Sequence, residues 1–321
     1  MTARSVADDL VVIVPYFNER DNLPYLLHHL AAQTLLPHRV LLVDSSSTDD
    51  GPSIVDKWIA SSEIGVNFTN IRAHTTTPGG SKTFGINASS EPLLAFMDCG
   101  LAFPVDWLEQ QLRVLNDPRV SWVSGVCRTE GGNLIDRAAI AHTYGFRNQR
   151  AVIPSSIIRR EVFERCGVFK NLRAGYDAEW AQHATQHGEL RVINSQVVVR
   201  YHDINYSRSL RDVFMKTLRY ARPSVYRDDY LAPWVYLCCA LIGAIASVIA
   251  PQAGVLFAAA YLAARLLLAG RKSRRNIWYF VRNPVALLAL IVVGVVMDAG
   301  KLAGFALGIG KRYILRRKST H

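Results

Sequence analysis

The chain has 321 residues, half of them hydrophobic, and 37 Lys and Arg against 26 Asp and Glu give a formal net charge of +11. The length allows about two domains, and the apolar share adds a membrane part to them. The five cysteines stand at 99, 127, 166, 238 and 239, a spacing without metal-ligand pattern that argues against a cysteine zinc site and fits a reduced, cytoplasmic setting.

From Met1 the chain passes through polar Asp8-Asp9 into a strand, with no apolar h-region or small-residue cleavage site, so no cleavable signal is expected. Val11-Val12-Ile13-Val14 and Val40-Leu41-Leu42-Val43 are short β-branched and aliphatic runs that stop abruptly in polar loops, the pattern of central strands covered on both faces. Between them Leu23, Leu26, Leu27, Leu30 and Ala31 recur at helical spacing, so the unit reads strand, helix, strand. A helix over Ser53–Ser61, a weaker strand at Asn67–Ile71, a Thr77-Pro78-Gly79-Gly80-Ser81 loop feeding a helix through Asn87, and a strand at Leu93–Met97 follow. A helix over Trp107–Leu115 and a strand at Val120–Gly125 continue the alternation, which predicts a mostly parallel sheet with helices on both faces. Ligands of such sheets bind at the carboxyl ends of the strands, where Tyr16 to Glu19 and Asp44 to Asp49 lie.

Several of these residues carry chemistry by themselves. Asp44, at a strand end, is placed to accept from a base NH or a ribose hydroxyl, with helix capping as the rival role. Asp49 and Ser47 fit the capping role better. Glu19 is placed either to touch a base or to cap the following helix. Gly79-Gly80-Ser81-Lys82 offers flexible backbone and a cation at a helix start, suited to phosphate oxygens, with an ordinary turn as the alternative. His183 and His187 share a helical i, i+4 spacing but lack a third ligand, and read as a solvated face.

Taken together, Val14-Pro15-Tyr16-Phe17-Asn18-Glu19, Val43-Asp44-Ser45-Ser46-Ser47-Thr48-Asp49, Gly79 to Ala88 and Phe96-Met97-Asp98-Cys99-Gly100 resemble the successive motifs of family 2 glycosyltransferases of the GT-A fold. Gly175-Tyr176-Asp177-Ala178-Glu179-Trp180 resembles that family's acidic ED motif, and the likeness covers about Val11 to Arg222. It implies a Rossmann-like α/β domain that takes a nucleotide-sugar donor through Pro15, Tyr16, Asn18, Glu19, Asp44, Ser46, Lys82 and Asp98. Asp98 matches the first carboxylate of the family's Asp-x-Asp metal motif, implying Mg²⁺ or Mn²⁺, whereas Gly100 replaces the second. One carboxylate holds a hard cation weakly. Cys99 reads as a packed residue. Lys82-Thr83 stand where the family usually has Arg-Asn, so the charge is kept and the amide is not. Asp177 matches the second position of the ED pair, with Tyr176 at the first, and is the implied catalytic base of an inverting transferase.

The chain after Val199, with Tyr201-His202, Arg208 and Arg219-Tyr220-Ala221-Arg222, resembles membrane-attached members that build exopolysaccharide or lipid-linked glycans. Ser207 to Arg227 reads as a basic amphipathic helix, and the neighbouring apolar stretches favour an anionic membrane surface over nucleic acid. On that surface Arg219 and Arg222 are expected near the donor pyrophosphate and lipid headgroups. Trp234–Ala250 and Ala253–Gly270 are each near the ~17-residue minimum for a span, and Pro251-Gln252 between them predicts a helical hairpin. Basic residues 271–275 return the chain to the cytoplasm. Pro284–Ile309 is long enough to span, contains Asp298 and Lys301 at pairing distance along a helix, and presents Gly300, Gly304 and Gly308 as a ridge for another helix, in this chain or in a second copy. A third crossing sets the basic tail Lys311 to Lys318 outside, against the positive-inside rule.

The expected organisation is a cytoplasmic GT-A domain over 1–206, an interfacial helix over 207–230 and a membrane domain over 231–321. The expected activity is transfer of a sugar from a nucleotide-sugar to polyprenyl phosphate or a polyprenyl-diphosphate glycan by a multi-pass protein of the cytoplasmic membrane. A nucleotide-binding scaffold without turnover is one alternative. A processive polysaccharide synthase is another, opposed by the short membrane part and the lack of a Gln-x-x-Arg-Trp pattern.

Overall fold

The computed structural model describes residues 5–62, 64–75, 77–201, 209–225 and 231–318. In chain order the elements begin β1 (Ser5–Tyr16), α1 (Leu23–Ala31), β2 (Leu35–Asp44), α2 (Gly51–Ser61), β3 (Asn67–Arg72), α3 (Pro78–Asn87), β4 (Leu93–Phe96) and β5 (Leu101–Ala102). Then come α4 (Trp107–Leu115), β6 (Trp122–Thr129), α5 (Leu134–His142), β7 (Gln149–Arg159), α6 (Arg160–Cys166), α7 (Tyr176–His187) and β8 (Val192–Tyr201). The remainder is helical: α8 (Leu210–Ser224), α9 (Ala232–Ile249), α10 (Pro251–Ser273), α11 (Ile277–Arg282) and α12 (Pro284–Lys318). Two compact units divide them, 1–128 with 148–202 and 129–147 with 203–321. The insertion carrying α5, inside the stretch expected to be catalytic, thus folds with the C-terminal helices.

The first unit is built on an eight-stranded sheet in the order β3-β2-β1-β4-β7-β6-β8-β5. Strands β1 to β4 pair in parallel, while β7 joins β4 and β6 antiparallel and β5 joins β8 antiparallel. The sheet is therefore mixed: β1 to β4 pair in parallel as the alternation predicts, whereas β6, the last strand of that alternation, pairs antiparallel. Side chains of β1 alternate between two cores. Val12, Val14 and Tyr16 face α1, α2 and α4 through Leu26, Val55 and Trp107. Val11 and Ile13 face α3, α6 and α7 through Ile86, Phe163 and Trp180. Each such fully buried aliphatic contributes roughly 1.5–3 kcal/mol of transfer free energy, which is why the β1 and β2 runs fix the centre of the sheet.

In the second unit α5 starts at Asn133, whose side chain accepts from the Asp136 amide at 2.9 Å, and ends at His142, whose carbonyl accepts from Lys272 Nζ at 3.1 Å. Lys272 of the expected cytoplasmic basic run thus satisfies a helix C-terminus. Pro251–Ser273 and the apolar stretch Pro284–Lys311 of α12 are long and apolar enough to cross a membrane, and α9 is a shorter apolar helix. Asp298 is buried and ion-paired with Lys301 Nζ at 3.0 Å and Arg265 Nε at 2.9 Å, and it accepts from Tyr261 at 2.8 Å and Tyr236 at 3.2 Å. One carboxylate ties α9, α10 and α12 together, as buried charges in apolar surroundings require.

The glycine ridge of α12 is filled within the chain. A Cβ at Gly300 would stand 2.8 Å from the Phe214 carbonyl, and one at Gly304 2.7 Å from the Leu218 carbonyl. Gly308 lies against the Arg222 carbonyl in the same way. Of the two partners expected for the ridge, a helix of this chain or one of a second copy, the first is present: α8 approaches so closely that the ridge has no room for another helix. Gly304→Leu is accordingly expected to lower the melting temperature in detergent by an overpacking cost of about 1–3 kcal/mol, with the oligomer profile unchanged. A shift in oligomeric state at constant melting temperature counts against this packing role.

Candidate active site

Parallel pairing sets Tyr16 beside Asp44, and Ile13 beside Phe96, so β1, β2 and β4 deliver their following loops to one sheet edge. The first two loops are knitted together. Asn18 and Ser46 both adopt left-handed backbone, at φ 55 and 65. Asn18 Oδ1 accepts from the Thr48 amide at 2.8 Å, the Asn18 amide donates to Ser47 Oγ at 3.0 Å, and the Arg20 amide donates to Asp49 Oδ2 at 3.1 Å. Asp49 Oδ1 also accepts from the Gly51 amide at 3.0 Å, which makes it a loop and helix-start residue.

Asp44 is buried; its Oδ1 accepts from the Ser47 amide at 2.8 Å and its Oδ2 lies 3.9 Å from Arg72 Nε. Ser46 Oγ donates to the Ala73 carbonyl at 3.2 Å. Tyr16 departs from the expectation of donor contact. Its ring belongs to the hydrophobic core and its hydroxyl donates to Asn70 Oδ1 at 2.8 Å, so only its backbone stands at the edge. The parity of Val12, Val14 and Tyr16 along a strand carried that signal. Glu19 is half-buried and accepts from Asn22 Nδ2 at 2.6 Å; burial pushes its carboxyl above the usual range against the pull of that bond. Pro15 is partly exposed at the end of β1.

Gly79 and Gly80 do not form a phosphate cradle. A Cβ at Gly79 would come within 3.0 Å of Tyr176 Cγ, and one at Gly80 within 2.5 Å of Asn171 Oδ1. The helix start is already capped, since Thr77 Oγ1 accepts from the Gly80 amide at 3.1 Å. Their lack of side chains lets α3 press against the 170–172 loop and the start of α7. That contact delivers Lys82.

Lys82 is fully buried, and its Nζ donates to Asp98 Oδ1 at 2.7 Å and to the Tyr176 hydroxyl at 3.1 Å. Burial is the strongest single influence and pulls the ammonium pKa down, but the charges and hydrogen bonds of Asp98 and Tyr176 together outweigh it and hold Lys82 above its ordinary value. Tyr201, at the end of β8, donates its hydroxyl to Asp98 Oδ2 at 3.3 Å. The Asp98 side chain remains 31% exposed, so the carboxylate is both held and reachable. Burial pushes the Tyr176 hydroxyl up to about 12, keeping it a neutral donor and acceptor. Cys99 is buried and its thiol raised by that burial, which removes it as a nucleophile or soft ligand.

Asp177 follows Tyr176 in the first turn of α7 and is partly exposed. The left-handed Gly175 before it, at φ 76, turns the chain into the helix. Trp180 anchors that turn: its ring stacks on Phe163 at 4.8 Å and packs edgewise on Phe169 and Trp122, while its Nε1 donates to the Gly167 carbonyl at 2.7 Å. Glu179 pairs with Lys170 and points to no chemistry. His183 and His187 are exposed, their rings stacked at 4.7 Å.

The sequence profile described as Glycosyl transferase family 2 matches residues 11–174, more than half of the chain. The chain is a family 2 glycosyltransferase. It is 26% identical over 191 residues to glycosyltransferase AglE of Haloferax volcanii, a match covering 55% of this chain and 61% of that protein. The chain thus aligns with less than two thirds of that relative's length. Among solved structures it is similar to the mannosyltransferase PcManGT of Pyrobaculum calidifontis in complex with GDP-Man and Mn²⁺, with 21% identity, a TM-score of 0.52, and coverage of 96% of this chain and 88% of that one. At that identity the likeness shows the fold, a GT-A sheet followed by C-terminal helices.

In this glycosyltransferase the donor set for a metal is sparse. Among the described residues no group of three His, Cys, Asp or Glu side chains is close enough to hold an ion. Asp98 is the one carboxylate of the expected motif, and Lys82 already occupies its Oδ1. These residues fit an ion that arrives on a diphosphate and takes a single protein ligand, not one that the protein holds alone. Arg219 and Arg222 lie on the exposed side of α8 in the second unit. His202 and Arg208 fall outside the described residues.

Asp44→Asn is expected to weaken nucleotide binding by about 1–3 kcal/mol in calorimetry, since it mispairs a buried acceptor without emptying the core. Unchanged affinity removes Asp44 from the site.

Proposed function

We propose that the protein inverts the anomeric centre of a nucleotide-activated sugar while transferring it to a lipid-linked acceptor at the cytoplasmic membrane. The observation that carries this reading is the Asp98 carboxylate clamped by Lys82 and Tyr201 at the carboxyl edge of the parallel strands, with Asp177 next to the Tyr176 that Lys82 also touches. Pro15, Asn18, Glu19, Asp44 and Ser46 form the nucleotide end of the site on the adjoining loops. In the proposed reaction the acceptor oxygen bonds to C1, the bond from C1 to the phosphate oxygen breaks, and the nucleoside diphosphate leaves with its electron pair. Asp177 takes the proton when the acceptor is a hydroxyl. The Lys82 ammonium fixes Asp98, and Asp98 is the protein ligand for Mg²⁺ or Mn²⁺ brought by the donor. When bound, the ion supplies Lewis-acid stabilisation of the departing diphosphate. The lipid acceptor is supported by the apolar helices that follow the catalytic unit, and the Mn²⁺ and GDP-Man bound by PcManGT support the donor and metal.

Incubating the full-length protein with a panel of nucleotide sugars, polyprenyl phosphate and extracted membrane glycolipids tests this. Nucleoside diphosphate should be released in step with a glycosylated lipid. Donor turnover that is indifferent to lipid, or binding with no turnover at all, overturns the acceptor assignment. Excess chelator should abolish transfer and added Mg²⁺ or Mn²⁺ restore it, because a single carboxylate leaves the ion weakly held. Full activity in chelator removes Asp98 from any metal role.

A further inference from the structure

α12 has one face covered from Ala286 to Gly308. Ala286, Leu290, Val293 and Met297 pack with Ala138, Ala139 and Ala141 of α5 in one buried cluster, and His142 Nε2 lies 2.7 Å from the Leu290 carbonyl. Further along, Gly300, Gly304 and Gly308 receive Phe214, Leu218 and Arg222 of α8 in equal four-residue steps, so the two helices run side by side in the same direction. Both covering helices resist burial in hydrocarbon. α5 is spliced between β6 and β7 by the links 130–133 and 143–148, too short for the chain to cross a bilayer of about 30 Å and return. α8 carries Arg211, Asp212, Lys216, Arg219 and Arg222, and parallel contact with α12 would draw those charges through the bilayer if α12 crossed it.

The uncovered face of α12 is apolar: Leu288, Val295, Ala299 and Ala306 are exposed at helical spacing, Leu288 at 61%. A helix with one apolar strip free and the rest covered by α5, by α8 and, around Asp298, by Tyr236, Tyr261 and Arg265 of α9 and α10 suits the boundary between headgroups and acyl chains. The α9 and α10 hairpin differs, since its tip is its most exposed apolar part, with Val248 at 84% and Ile249 at 78%. α9, at 18 residues or about 27 Å, reaches through most of a hydrocarbon core of about 30 Å.

We propose that α12 lies in the membrane surface and does not cross it, so that the chain enters the bilayer through the α9–α10 hairpin and its basic C-terminal end stays on the side of the catalytic unit. This arrangement removes the conflict between three crossings and the positive-inside rule. It rests on membrane attachment and not on the transferase assignment, so the test reads topology without activity.

In sealed vesicles of known orientation holding the full chain with a C-terminal tag, protease added from the catalytic side should remove the tag. A tag protected from that side and digested only from the opposite one overturns the proposal. Depth gives a second reading: spin labels at Leu288→Cys, Val295→Cys and Leu307→Cys, with the five native cysteines replaced, should be quenched to the same shallow depth. A steady gradient through the bilayer from 288 to 307 overturns it, and the tag experiment on the native sequence decides if the cysteine-free chain fails to fold.

Discussion

Asp177→Asn is expected to reduce turnover by roughly 10²-fold or more while donor affinity stays unchanged, because the amide keeps the shape of the first turn of α7 and loses only the proton acceptor. The size of the loss also reports the acceptor. A sugar hydroxyl must shed a proton as it attacks, whereas a polyprenyl phosphate oxygen is already anionic at neutral pH and needs little from a base. A large loss on a glycan acceptor with a small one on polyprenyl phosphate therefore identifies Asp177 as the base for hydroxyl acceptors. Wild-type turnover on both removes it from the proton path. Binding measured by calorimetry separates this from damage to the donor site, which lowers affinity instead.

Asp98→Ala is expected to abolish transfer and also to destabilise the first unit by about 3–5 kcal/mol, since it strands a fully buried ammonium. In the wild type the Lys82 pKa stands above its ordinary 10.5. The stability contributed by the pair is therefore fully present below that value and is lost only as pH rises through the higher folded one. In Asp98→Ala, burial acts on Lys82 without its counter-charge, so the folded state prefers the neutral amine and the deficit should narrow as pH rises toward about 10. Adding Lys82→Met should restore most of the lost melting temperature and none of the activity. An Asp98→Ala protein that melts like the wild type shows the pair to be dispensable for folding. Recovery of transfer in the double variant shows Asp98 to be dispensable for the reaction.

The parallel half of the sheet and the loops at its edge were legible in consecutive residues. α1 and α4 occupy Leu23–Ala31 and Trp107–Leu115 as their periodicity requires, and Asp44 and Asp98 stand where aliphatic runs give way to turn chemistry. Those features are local: a period of 3.6 or 2 and a polar stop are written in consecutive residues. Tertiary structure alone decided partners. Nothing near Lys82 in the sequence shows that its ammonium meets Asp98 and Tyr176, or that Tyr201, at the far end of the sheet order, closes the other side of the same carboxylate. Gly79 and Gly80 have the composition of a phosphate loop, but Gly79 is crowded by the Lys170 and Leu172 carbonyls and Gly80 by the Asn171 and Thr75 side chains, and residues 170–172 are far away in sequence. Gly300, Gly304 and Gly308 announce a close helix neighbour without naming it, because a small-residue ridge accepts any helix of matching shape. Only the packed chain assigns that groove to α8, and with it the side of the membrane on which the C-terminal end belongs in our proposal.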